Sequence, residues 1–178
     1  MKIFAFVVAV LIMLFVTLTY KTDKVEAVSN SKAVTSPLCT KTEKTIWTCT
    51  IQKSMKIASV CASKDLDSSK GYVQYRFGKA GKIELQFPAS KEKTQEQFRY
   101  SRYTRPLVTY LTLTFENNGF TYKIEDVNNN EEKPPINDAY ISIVSPEGRG
   151  TELHCTQPTK GSLMKLEDII PKSEEDNF

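Results

Sequence analysis

The chain has 178 residues, 40% hydrophobic content and a formal net charge of +3, which suits one globular domain with a real core. Residues 28–178 carry 21 basic and 19 acidic groups, so the body of the chain is nearly neutral. A near-neutral balance excludes an electrostatically driven nucleic-acid binder, and no nucleic-acid partner is expected.

Met1 and Lys2 precede an apolar run from Ile3 to Thr19, and polar residues begin at Tyr20. One positive charge, an apolar stretch and then small residues match an export signal. Val25-Glu26-Ala27 has the small-x-small character of a cleavage site, so residues 1–27 are read as a signal peptide cut after Ala27. Uncleaved, the same segment would be the only expected membrane contact. Residues 28–38 are small, polar and aperiodic, and read as a linker. The disulfide-tied domain is expected over 39–158, and an acidic tail over 159–178.

From Thr45 onward the chain alternates with a period of two, punctuated by turn residues. Trp47, Cys49 and Ile51 share one face, and Gln52-Lys53-Ser54 turns the chain into Met55–Cys61. Val73, Tyr75 and Phe77 follow, then a Gly78–Gly81 turn and a strand carrying Ile83, Leu85 and Phe87. Residues 89–105 break the alternation and read as a connection. Leu107–Phe115 resumes it, placing Leu107, Leu111, Leu113 and Phe115 on one side. Asn117-Asn118-Gly119 is a hairpin signal, since Asn and Gly tolerate positive φ. Strands around Phe120–Ile124, Tyr140–Val144 and Thr151–Cys155 complete the set, with a polar loop at 128–135. The expected fold is all-β: a small antiparallel barrel or sandwich of about eight strands, with a loose C-terminal tail. A short helix is expected at Leu163–Ile169. The expected core comprises Trp47, Tyr75, Phe77, Leu85, Phe87, Leu111, Leu113, Tyr122 and Ile143.

The cysteines are Cys39, Cys49, Cys61 and Cys155. An even number without a Cys-x-x-Cys pair reads as structural disulfides in an oxidising compartment, not as a metal or redox site. Cys49 lies on the inward face with Trp47, and Cys155 is in phase with Leu153. A Cys49–Cys155 bridge would tie the first strand to the last and close the sheet, leaving Cys39 to pair with Cys61. The expected location is periplasmic or secreted.

Catalytic signatures are absent from the sequence. The single histidine, His154, neighbours a cysteine assigned to a disulfide, whereas a Cys–His pair needs a free thiolate. No Gly-x-Ser-x-Gly, His-Glu-x-x-His or phosphate-cradling loop occurs. The reading is therefore a non-enzymatic protein without cofactor or metal.

Charge is distributed unevenly: residues 70–105 have a net of +6 and residues 116–178 a net of −7. Within the basic block, Arg99-Tyr100-Ser101-Arg102-Tyr103-Thr104-Arg105 interleaves guanidinium groups with tyrosines. Arg and Tyr are enriched at protein-binding hot spots. The candidate partner-binding residues are accordingly Tyr72, Arg76, Arg99, Arg102 and Arg105.

Cys39 to Phe87 resembles a set of small exported bacterial proteins without assigned function. The resemblance rests on Trp47-Thr48-Cys49, Ile57-Ala58-Ser59-Val60-Cys61-Ala62-Ser63, Tyr75-Arg76-Phe77-Gly78 and Ile83-Glu84-Leu85-Gln86-Phe87-Pro88, with Leu153-His154-Cys155 similar to their closing cysteine strand. It implies a periplasmic location. A looser similarity is to the periplasmic inhibitors of chicken-type lysozyme, which are small disulfide-tied β-barrels with a Ser-Gly-x-Tyr loop and a Thr-Lys-Gly loop. Ser69-Lys70-Gly71-Tyr72 and Thr159-Lys160-Gly161 supply those residue types in altered spacing and order, and no inhibitory residue is carried across. The expected function is a periplasmic binding protein acting on another protein, such as an inhibitor or immunity-type protein against a wall-degrading hydrolase. The alternative is a structural or ligand-binding module of the cell envelope.

Overall fold

A computed structural model describes residues 36–174. The signal peptide, its cleavage site and most of the linker fall outside the described residues. Nine strands make one curled antiparallel sheet, a half-barrel. In chain order they are β1 (Glu43–Ile51), β2 (Ile57–Ser63), β3 (Val73–Lys79), β4 (Lys82–Phe87), β5 (Arg99–Arg105), β6 (Val108–Asn117), β7 (Phe120–Asn129), β8 (Ile136–Val144) and β9 (Gly150–Gly161). The all-β expectation holds, and the strand beyond the expected eight is β5. Residues 99–105 are thus not a connecting loop.

Strands β1–β4 form one meander and β5–β9 another, merged where β9 pairs with β1. Because every neighbouring pair is antiparallel, β4 and β5, the two edge strands, must run in the same direction. An antiparallel pair cannot form across that seam, and no parallel pair joins the two strands, so the barrel is open there. The link across it, residues 88–98, includes a 3-10 turn at Gln95–Gln97.

Local chemistry fixes the register. Asn118 and Gly119 have φ values of 52° and 78°, as a two-residue hairpin between β6 and β7 requires. Gly161 crosses β1 so closely that a Cβ there would lie 2.0 Å from the Ile46 carbonyl oxygen. Leu107 departs from expectation. It occupies the β5–β6 turn with φ 67° and is 63% exposed, because the turn precedes the alternating run.

The concave face holds the core. Trp47, Tyr75, Leu111 and Leu113 are buried, and Phe77, Leu85, Phe87, Tyr122 and Ile143 pack against them partly buried. Phe115 stacks on Phe87 at 4.5 Å and on Tyr122 at 4.8 Å, joining β4 to β6 and β7 across the interior. Beyond β9, Ser162 accepts a hydrogen bond from the Met164 amide and caps a 3-10 turn over Leu163–Leu166. Leu163, Leu166 and Ile170 are buried in the same core. Residues 171–173 then lie beside β5: Tyr100 N donates to Pro171 O and Ser173 N to Tyr100 O, both at 2.9 Å. The packed domain therefore continues past residue 158, because these apolar side chains complete the core. Residues 175–178 lie outside the described part.

Both bridges match the expected pairing: Cys39–Cys61 and Cys49–Cys155, with Cα separations of 5.3 and 5.6 Å. The second does not close the sheet. It fastens β1 to β9 at the join of the meanders, while the open seam lies between β4 and β5. All four cysteines are oxidised, which points to an oxidising, extracytoplasmic environment. No helix among the described residues is long and apolar enough to cross a membrane.

Candidate functional site

The structure divides the five candidate residues into three environments. Arg76 and Tyr72 belong to a buried polar layer on the convex side of β1–β3. Arg76 donates from Nη1 and Nη2 to the two carboxylate oxygens of Glu43, each at 2.7 Å. Its Nε donates to Gln86, and its remaining donors reach Gln74 and the Leu38 carbonyl. The side chains of Arg76 and Glu43 are 4% and 0% exposed. Burial would raise the Glu43 carboxyl, but the Arg76 fork, the Thr40 amide and the Tyr72 hydroxyl outweigh it and hold it at about 2. Arg76 is therefore removed from the candidate contact surface, since its donors are satisfied inside the fold. Tyr72 donates to Glu43 at 2.8 Å and is covered by Lys91, whose ammonium sits 4.3 Å from the ring centroid. It is a structural rim of the same layer.

Strand β5 presents the three remaining arginines, but not as one patch. Alternation along a strand sends neighbours to opposite faces, and the register pairs Arg102 with inward Leu111 and Arg99 with Thr114. Arg102 thus points to the concave side, where both oxygens of Glu167 accept from Nη1 at 2.7 and 2.9 Å. It pins the C-terminal segment. Arg105 pairs with Glu131 on the convex side. Arg99 is exposed and donates to the Glu96 and Phe98 carbonyls. Of the expected arginines, Arg99 is the one whose side chain bonds to neighbouring backbone carbonyls and not to a carboxylate.

The convex face of β5–β8 forms a surface that the sequence reading missed. Cross-strand neighbours share a face, and the register aligns Tyr103, Tyr110, Val127 and Asp138 in one row. The adjacent row contains Thr112, Glu125, Tyr140 and His154. Tyr103 and Tyr110 stack at 5.8 Å, and Tyr103 is 52% exposed. With Ile136 they border an open cleft of about 530 Å³ that also includes Glu125, Asp138 and Tyr140. The Tyr140 and Ser142 hydroxyls donate to the two oxygens of Glu125 at 3.4 and 3.0 Å. Burial, reinforced by Glu125, pushes the Tyr140 phenol up to about 12, so it stays a donor at neutral pH. His154 is outward, as expected, with Nδ1 3.4 Å from Asp138 and Nε2 3.5 Å from Glu152.

The Ser69–Tyr72 and Thr159–Gly161 segments sit elsewhere. Asp67 accepts from the Ser69 and Lys70 amides, and Gly71 takes φ 78° in the β2–β3 loop. Thr159-Lys160-Gly161 ends β9 against β1. No family model, curated protein or solved structure matches the chain.

Proposed function

We propose that this is a periplasmic or secreted, non-enzymatic binding protein that docks another protein on the convex face of β5–β8. The observation that carries the reading is the exposed Tyr103–Tyr110 pair with Ile136 beside an open cleft. Large aromatic groups on a fixed scaffold lose little entropy on docking, and tyrosine is enriched where binding energy concentrates. The sheet beneath is fastened by Cys49–Cys155 at the join of its two meanders.

A wall-degrading hydrolase is the proposed partner class, which would make the protein an inhibitor or immunity-type protein. Arg99 supports this reading, because an exposed guanidinium at the end of the face offers a fork for a carboxylate in a glycan-cleaving cleft. The open cleft, with aromatic and polar side chains in its lining, favours a second reading, a ligand-binding module of the envelope. Capture from a periplasmic extract, followed by mass spectrometry, tests the first. A Tyr103→Ala/Tyr110→Ala variant with an unchanged melting temperature should lose the captured protein. Equal capture by both forms overturns the proposed surface.

A further inference from the structure

The convex cleft combines three tyrosines with two carboxylates. Tyr103 and Tyr110 supply stacked rings, Tyr140 a third, and Val127 and Ile136 apolar surface between them. Each carboxylate is held in place by neutral donors. Tyr140 and Ser142 orient Glu125, and the Ala139 amide donates to Asp138 Oδ1 at 2.8 Å. Asp138 has His154 for company, and no lysine or arginine forms a salt bridge with either carboxylate among the described residues. The lining is therefore acidic, aromatic and open, with Arg105, paired to Glu131, beside Tyr103 at its rim. Anions are disfavoured by both carboxylates. A flat cation suits the site, stacking on an outer face of the tyrosine pair while its donors meet the acids.

We infer that this cleft receives an arginine side chain on a segment of the partner protein, its guanidinium against Tyr103 and Tyr110 and its donors toward Glu125 and Asp138. The inference rests on the binding-protein reading above and names the chemistry the partner must bring. Guanidinium suits the site better than ammonium, because it is planar, less strongly hydrated and forked. The stacked pair and the two acids come from four consecutive strands, so the site is preorganised by sheet register, not by loop movement.

The test is an NMR titration of the full protein with acetyl-Gly-Gly-Arg-Gly-Gly-amide and with its citrulline counterpart, which keeps shape and loses charge. The arginine peptide should shift the amides of Tyr103, Tyr110, Val127, Ile136 and Asp138. It should bind about tenfold tighter than the citrulline peptide. Glu125→Gln/Asp138→Asn should erase that preference without moving the melting temperature. Equal binding of the two peptides overturns the inference, as do shifts spread over Glu131, Glu147 and Glu152. A response to a neutral N-acetylglucosamine tetramer alone would also overturn it, assigning the surface to glycan. In partner capture, loss by Tyr103→Ala/Tyr110→Ala but not by the acid-neutral variant rejects the arginine while keeping the binding-protein reading. Unchanged capture by both rejects that reading as well.

Discussion

Arg76 and Glu43, 33 residues apart in sequence, meet fork to fork at 2.7 Å, with the Leu38 carbonyl accepting a further bond from Arg76. Each charge is buried and each is satisfied only by the other and its hydrogen-bonded neighbours. Removing one partner leaves an uncompensated charge, so Arg76→Ala should cost about 3–5 kcal/mol. An Arg76→Met/Glu43→Leu double variant should cost clearly less than the sum of the single variants. Denaturant unfolding measures all three. Additive costs would show that the pair is not coupled.

The same pair predicts acid sensitivity. Glu43 is held at about 2 in the fold against 4.5 when free. Between those values the unfolded chain binds the proton and the folded chain does not, so folding is penalised as pH falls. Stability from this group is fully present above pH 4.5 and is lost as pH approaches 2, a total on the order of 3 kcal/mol. Melting temperatures measured across that window should fall more steeply for the wild type than for Glu43→Gln. Parallel curves would remove Glu43 as the cause.

The fold was readable wherever one strand face is apolar and the other polar. Ile83, Leu85 and Phe87 or Leu111, Leu113 and Phe115 announce their strands, and Asn118-Gly119 announces the hairpin. Strand β5 was hidden because Arg-Tyr-Ser-Arg-Tyr-Thr-Arg shows no apolar alternation. As an edge strand it buries only Tyr100 fully and leaves its other side chains in contact with solvent. The C-terminal segment was half-readable: its Leu163, Leu166 and Ile170 have helical spacing, but their burial depends on the barrel remaining open. Arg76 alternates with Tyr75 and Phe77, which reads as an outward, exposed charge. Outward is correct, yet Glu43, Gln74, Gln86 and the Leu38 carbonyl enclose it, and nothing near Arg76 in sequence names Glu43. The convex cleft needed cross-strand register, since Tyr103, Tyr110, Glu125 and Asp138 come from separate strands.

The two disulfides should contribute unequally. Cys49–Cys155 spans 106 residues and Cys39–Cys61 spans 22. In the chain-entropy model these correspond to roughly 5 and 3 kcal/mol. Cys49→Ala/Cys155→Ala should therefore melt well below Cys39→Ala/Cys61→Ala under oxidising conditions. The reverse order would show that pinning the segment over the Arg76 layer matters more than joining the two meanders.

Filling the concave side makes the C-terminal segment a structural element. Leu166 is fully buried, so Leu166→Ala should destabilise by about 2–5 kcal/mol, as core truncations do. Leu113→Ala should fall in the same range, being fully buried in the same core. Leu166→Ala with no effect on unfolding would return residues 162–174 to the status of an appended tail.

The arginines of β5 should separate by face. Arg102 holds Glu167 with two hydrogen bonds and lies beside the bridge from Tyr100 to residues 171–173. Losing it should loosen that segment, and the pair is partly exposed, so the cost to global stability should be about 1 kcal/mol or less. Hydrogen exchange resolves the two effects. The Tyr100 and Ser173 amides, which donate to Pro171 and Tyr100, should exchange faster in Arg102→Ala while amides of β6 and β7 stay protected. Arg99→Ala removes bonds only to nearby carbonyls, so exchange at Tyr100 and Ser173 should match the wild type. If both variants expose those amides equally, the segment is held by the edge of β5 as a whole and the Arg102–Glu167 pair has no separate role. If Arg99→Ala alone weakens partner capture, the guanidinium at the end of the convex face belongs to the docking surface, and Arg102 belongs to the fold.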